Sequence, residues 1–249
     1  MTDSGATVVL LHGFTQNSLC WGGFAGELDI ESRRLVAVDL PGHGRSSALR
    51  AGLFDAAQMV ADTCGPADYV GYSLGGRILL HLAVSRPETV RRAVLIGATA
   101  GIDTEEERSA RVRADEMLAR QLDDARDDKT ALADFLRRWL AGPLFAQLSE
   151  EAACFTQRLR NDAAGLASSL RLCGTGVQEP LWSRLQEIAV PVLVLAGEDD
   201  ERFSTLARRM AASIGKNATV AVVPGAGHAC HLEKPAATAE IIERFWSGT

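Results

Sequence analysis

The chain has 249 residues, 47% of them hydrophobic and 23% charged, with a formal net charge of −6. That suits a globular α/β domain with an insertion. It argues against general nucleic-acid binding, and no stretch approaches the ~18 apolar residues of a membrane span. Five cysteines are odd in number, widely spaced and without a Cys-x-x-Cys pair. A disulfide framework or zinc site is therefore not expected, and a reducing cytoplasm is.

Met1–Ala6 has no basic start, so no signal peptide is expected. Thr7–Leu11 is a continuous apolar run, the mark of a strand buried on both faces of a parallel sheet. It ends in His12-Gly13-Phe14. Arg34–Val38 reads as the next strand and runs into Asp39-Leu40-Pro41-Gly42-His43-Gly44-Arg45-Ser46. Residues 53–63 fit a helix. Ala67–Val70 is a short strand, followed by Gly71-Tyr72-Ser73-Leu74-Gly75-Gly76 and a helical pattern from Arg77 to Val84. Arg92–Gly97, Val190–Gly197 and Thr219–Val223 are three more strands, with helices at 204–213 and 236–246. Strands alternating with helices predict a mostly parallel sheet covered on both faces.

The rhythm breaks between 101 and 176, where Arg, Asp, Glu and Ala dominate, helical periodicity persists and no strand is convincing. The expected organisation is a core of residues 1–100 and 177–249 with a helical cap, 101–176, over the carboxyl edge of the sheet. Ligands of such folds bind at that edge.

Gly71-x-Ser73-x-Gly75 lies between a strand and a helix, the context of a nucleophile elbow. An alcohol is a poor nucleophile or base until a neighbour takes its proton. It needs a histidine, and the histidine needs a carboxylate. His228 follows the strand ending at Val223; its rival His231 lies one helical turn on. Glu198, Asp199 and Asp200 all follow the strand ending near Ala196, and the residues alone leave the two aspartates unseparated. Leu74 N–H at the start of the elbow helix and Phe14 N–H after the first strand are the candidate oxyanion donors. His12 and His43, in glycine-flanked loops, read as structural; His81 and Cys230 read as packing residues.

Leu11-His12-Gly13-Phe14, the Asp39–Ser46 stretch, the elbow and Gly227-His228 together resemble the α/β-hydrolase superfamily. Narrower features resemble the 2-succinyl-6-hydroxy-2,4-cyclohexadiene-1-carboxylate synthases of menaquinone biosynthesis. These are Arg77 directly after the elbow and Gly174-Thr175-Gly176-Val177-Gln178-Glu179-Pro180-Leu181-Trp182. A third is Gly197-Glu198-Asp199-Asp200-Glu201-Arg202-Phe203. That stretch implies Asp200 as the triad acid, although Arg202 stands where lysine is usual, and Leu74 stands where methionine is usual. The sequence starts almost at the first parallel strand, so the antiparallel edge strands that precede it in larger relatives are expected to be absent.

The resemblance also implies an elimination of pyruvate rather than a hydrolysis, with no metal or organic cofactor. Ser73, His228 and Asp200 would form the base system. Arg77 would receive a carboxylate of a small polycarboxylate substrate. Arg160, by its spacing to Gly165, would approach from the cap, with Arg120 as a weaker third. Trp139, with Pro143 and Phe145, would form a cap wall, whereas Trp182 reads as packing. Whether Arg171 reaches the site is left open. The rival expectations are a serine hydrolase with the same triad and a non-catalytic receptor. Plain esterases have no need of Arg77 and the Gly174–Gly176 turn, and a receptor tolerates a broken triad.

Overall fold

The computed structural model describes residues 6–29 and 32–248; the reading of Met1–Gly5 lies outside the described residues. The elements in order are β1 (Ala6–Leu11), α1 (Gly22–Glu27), β2 (Arg33–Val38), α2 (Leu53–Cys64), β3 (Ala67–Tyr72), α3 (Leu74–Ser85) and β4 (Val90–Ile96). Four helices follow: α4 (Glu105–Asp124), α5 (Lys129–Leu140), α6 (Phe155–Arg158) and α7 (Ala163–Cys173). The chain then returns to the sheet through β5 (Val192–Gly197), α8 (Glu201–Ile214), β6 (Ala218–Val223), α9 (Cys230–Glu233) and α10 (Pro235–Ser247).

Among the described residues the sheet has six strands, all parallel, in the order β2-β1-β3-β4-β5-β6. Successive side chains of a strand point to opposite faces. Val9, Leu11, Tyr69, Leu95 and Val194 therefore enter one core with residues of α2, α3 and α8. Val8, Leu10, Val70, Val94, Ile96 and Leu195 enter the other with Phe24 of α1 and Ile242 and Trp246 of α10. Burial on both faces is why these strands read as unbroken apolar runs. The α/β expectation is borne out, and all six predicted strands are present.

The stretch between β4 and β5 is helical, as its periodicity predicted. It has a small core of its own, built from Leu122, Leu132, Phe135, Leu136, Leu166 and Leu170. Asp128 and Asp162 cap α5 and α7 with side-chain acceptors for backbone N–H groups. No helix among the described residues is long and apolar enough to cross a membrane.

Four histidines are held neutral by burial. Desolvation lowers His12 to about 4, His43 to about 3, His81 to about 4 and His231 to about 3, all from 6.5. Below pH 6.5 the unfolded chain takes up protons that the folded chain refuses, so stability is full above that value and falls as pH drops towards 4 and 3. Each ring contributes ~1.4 kcal/mol per pH unit inside that window. The urea midpoint is expected to fall steeply from pH 6.5 to 4, and His231→Phe should make the decline shallower. A midpoint flat over that range would mean that these rings are protonated in the fold.

Candidate active site

The elbow places Ser73 between β3 and α3 at φ 49°, ψ −104°, a strained backbone costing on the order of 1–3 kcal/mol. The surrounding backbone fixes it. Ser73 N donates to Ile96 O at 2.9 Å, Arg77 N to Ser73 O at 3.0 Å and Gly75 N to His12 O at 3.0 Å. A Cβ on Gly75 would lie 1.9 Å from Leu11 O, so only glycine lets α3 meet the end of β1 so closely. That contact brings the two expected oxyanion donors to one pocket. Phe14, Leu74, Ser73 and His228 all line it, and its volume is about 90 Å³. Leu74 opens α3, where a backbone N–H has no acceptor within the helix.

His228 sits on the loop after β6, and its Nδ1 is 2.8 Å from Asp200 Oδ2. A carboxylate accepts, so Nδ1 carries the proton and Nε2 keeps its lone pair. Asp200 is held in turn because its Oδ1 accepts Phe203 N at 3.1 Å as the N-cap of α8. Asp199 turns outward, accepting Gln147 Nε2 at 2.8 Å, and Glu198 accepts Gly225 N. Of the three acids, Asp200 is therefore the one paired with the histidine. The His228 ring packs against Phe203 with centroids 4.4 Å apart.

His231 is buried in the second core against Tyr72, Trp21 and Phe24. His12 bonds backbone on both sides, Nδ1 at 2.8 Å from Gly13 O and Nε2 accepting Leu40 N at 3.1 Å. His43 Nδ1 lies 3.1 Å from Pro41 O.

Gly97, at φ +55°, was not anticipated as part of this arrangement. A Cβ there would lie 3.0 Å from His228 Cε1 and 3.3 Å from Nδ1. Gly97→Ala is therefore expected to push the imidazole off its aspartate and to lower kcat by about 10–100-fold, since a misplacement near 1 Å costs that much. Turnover at the parent rate would show that the ring has room to shift.

Arg77 is 8% exposed, lines the pocket and donates from Nη1 to Cys173 O at 2.6 Å and to Gln178 Oε1 at 3.5 Å. Among the described residues no carboxylate lies within ion-pair distance of it. Burial, with a smaller contribution from Arg111, lowers its pKa to about 10 against the opposing effects of Cys173 and Asp115. Trp139 forms the wall expected of it, edge-on to Phe14 with centroids 5.1 Å apart and tilted against Phe145. Trp182 is a packing residue that donates Nε1 to Gly101 O.

The other two expected arginines lie elsewhere. Arg160 is exposed on a separate surface depression beside Asp39 and Arg45. Arg158 takes the place expected for it: 1% exposed, lining the pocket, donating from Nε to Ala153 O at 2.7 Å and reaching Phe14 O and Thr15 Oγ1. The spacing to Gly165 misled because α6 ends at Arg158 and α7 begins at Ala163, so no helical phase links them. Asn161 fixes this connection: it is fully buried, accepts Gly44 N and donates to Thr15 O.

Arg120 points away from the pocket, paired with Glu116, and Arg171 joins the same exposed cluster through Glu116 and Asp123. Arg111 of α4 lines the pocket instead, its Nε held 2.8 Å from Asp115 Oδ1. Nine residues at about 100° each place Arg120 on the opposite face of the helix from Arg111.

The profile of the Alpha/beta hydrolase family matches residues 8–241. A Bacillus subtilis (strain 168) relative, provisionally named a 2-succinyl-6-hydroxy-2,4-cyclohexadiene-1-carboxylate synthase, is 35% identical over 98% of this chain and 91% of its own. The synthase of that name from Serratia proteamaculans (strain 568) is 33% identical over 96% of this chain and 92% of its own. The solved structure of MenH from S. aureus superposes with a TM-score of 0.88 at 29% identity, covering 99% of this chain and 95% of that one. The chain belongs to the α/β hydrolase family, in the branch of the 2-succinyl-6-hydroxy-2,4-cyclohexadiene-1-carboxylate synthases.

Proposed function

We propose that the chain is a carbon–oxygen lyase of menaquinone biosynthesis. It eliminates pyruvate from 2-succinyl-5-enolpyruvyl-6-hydroxy-3-cyclohexene-1-carboxylate to give 2-succinyl-6-hydroxy-2,4-cyclohexadiene-1-carboxylate. The observation that carries the reading is the convergence of three guanidiniums, Arg77, Arg111 and Arg158, on the pocket that holds Ser73 and His228. The substrate's three carboxylates match such a site, because guanidinium and carboxylate pair bidentately. Residues 101–176 act as the cap that delivers two of these arginines. All five cysteines are free, which fits a reducing cytoplasm.

In this mechanism His228 Nε2 takes the Ser73 hydroxyl proton, and Asp200 stabilises the imidazolium. The Ser73 oxygen removes the proton from the ring carbon bearing the succinyl group. Charge spreads to the succinyl carbonyl, where the Phe14 and Leu74 amides stabilise it. The electrons move through the ring double bond, the bond to the enolpyruvyl oxygen breaks, and that oxygen takes the proton held by His228. The released enol becomes pyruvate. No acyl-enzyme forms.

The test is pyruvate release from freshly generated precursor, compared with the unaided rate. Acceleration supports the reading. No acceleration, together with turnover of a simple aryl ester, would move the chain to the serine hydrolases. In the same assay Arg158→Ala is expected to lower kcat/KM by about 10–100-fold, the size of a lost charged hydrogen bond, while Arg160→Ala stays near the parent. The reverse order would return the cap contact to Arg160.

A further inference from the structure

The helical segment meets the loop after β1 along a seam beside the pocket. Asn17 Nδ2 donates to Gln157 O at 2.7 Å, and Asn161 Nδ2 donates to Thr15 O at 2.6 Å. Two cysteines face each other on the same seam. Cys154 Sγ donates to Cys20 O at 3.7 Å and to Ala152 O at 3.4 Å. Cys20 Sγ also donates to Asn17 Oδ1 at 3.6 Å. Arg158 begins one helical turn after Cys154, its N–H bonded to Cys154 O at 3.0 Å.

The pair is chemically asymmetric. The neighbouring Cys20 thiol and the charge of Arg158 lower Cys154 against the cost of burial. Cys20 is raised by the neighbouring Cys154 and by burial. Burial raises the remaining thiols, Cys173 to about 11 and Cys230 to about 12, and Cys64 also upward. Thiolate character, which decides reactivity towards disulfides, is thus concentrated at Cys154.

We propose that Cys20 and Cys154 are a thiol modification site whose disulfide reversibly clamps the helical segment to the loop that carries the Phe14 amide. A small-molecule disulfide is the oxidant. The Cys154 thiolate attacks one of its sulfurs, that S–S bond breaks and a small thiolate leaves. Cys20 then gives its proton to the departing thiolate and attacks the Cys154 sulfur, releasing the second small thiol. Two protein thiols are oxidised and one disulfide is reduced to two thiols. Cys154 is 9% exposed, at φ 54°, ψ 38°. It ends a turn-rich stretch tied by Ala153 N to Ser149 O and Ala152 N to Ser149 Oγ. Local opening of that stretch admits the oxidant without disturbing the sheet.

The experiment treats the whole protein with 2-hydroxyethyl disulfide, alkylates it and maps its peptides. The expected product is a Cys20–Cys154 linked peptide with the other three of the five cysteines alkylated. Amide exchange over 149–158 should slow severalfold, recover with dithiothreitol and stay unchanged in Cys154→Ser. Full alkylation of both Cys20 and Cys154 after the treatment would overturn the site, and a linked peptide with unchanged exchange would overturn the clamp. In the linked protein pyruvate release is expected to fall about tenfold, because a tethered lid opens slowly. That arm alone rests on the proposed function; the peptide and exchange readouts stand without it.

Discussion

Ser73→Ala is expected to lower pyruvate release by about 10³-fold or more, towards the unaided rate of the precursor, since a positioned base supplies about 10²–10⁴. Alanine keeps the Cβ and loses only the hydroxyl, so the elbow's positive φ of 49° and its bonds to Ile96 O and Arg77 N persist. Folding should be intact and the effect should fall on kcat. The check is single-turnover pyruvate release, coupled to lactate formation, with the melting temperature measured beside it. A variant within tenfold of the parent would remove Ser73 from the base role and leave His228 to act directly on the ring proton.

Arg77→Ala should lower kcat/KM by about 30–150-fold, the worth of one charge-assisted hydrogen bond in a dry site, about 2–3 kcal/mol. The loss should appear mainly in KM if Arg77 binds a carboxylate that does not change during the reaction. The free enzyme should not suffer equally. Arg77 is buried, and among the described residues its partners are a carbonyl and an amide oxygen; holding an uncompensated charge there is costly. Arg77→Leu is therefore expected to melt at or above the parent temperature while losing activity. A variant that lost several degrees of stability along with its activity would make Arg77 structural. Lysine should not restore the parent, because a point charge cannot engage Cys173 O and a carboxylate in one plane.

What could be read from the chain follows from where each signal is encoded. Strands buried on both faces show as apolar runs, and β1 through β6 lie within a few residues of their expected bounds. Two helices escaped notice, α1 (Gly22–Glu27) and α9 (Cys230–Glu233). Each is under two turns, too short for helical periodicity to emerge. The residues after strand ends were legible because the chain order of such loops is fixed by the sheet: Ser73, Asp200 and His228 do face one pocket or its edge. The arginines from the helical segment were not. Their direction depends on helix phase, and one irregular connection between α6 and α7 or half a turn along α4 exchanges a pocket residue for a surface one. The residues alone did not separate Asp199 from Asp200, since both follow the same strand; the family resemblance of Gly197–Phe203 pointed to Asp200, which caps α8 and meets His228.

His228 follows β6, which among the described residues lies at an edge of the sheet and is the last strand in chain order. A nascent chain halted before it already holds the elbow and the pocket arginines, but lacks His228, the acceptor of the serine proton in the proposed mechanism. On that mechanism competence arrives only when β6 has docked beside β5, and β5 must itself pair with β4 across the whole helical segment, a long-range closure that is slow by its topology. Collapse and helix formation can be complete while the protein is still inert. Regained turnover during refolding consequently reports the closing of the sheet's far edge, whereas circular dichroism reports helix formation along the whole chain, α10 included.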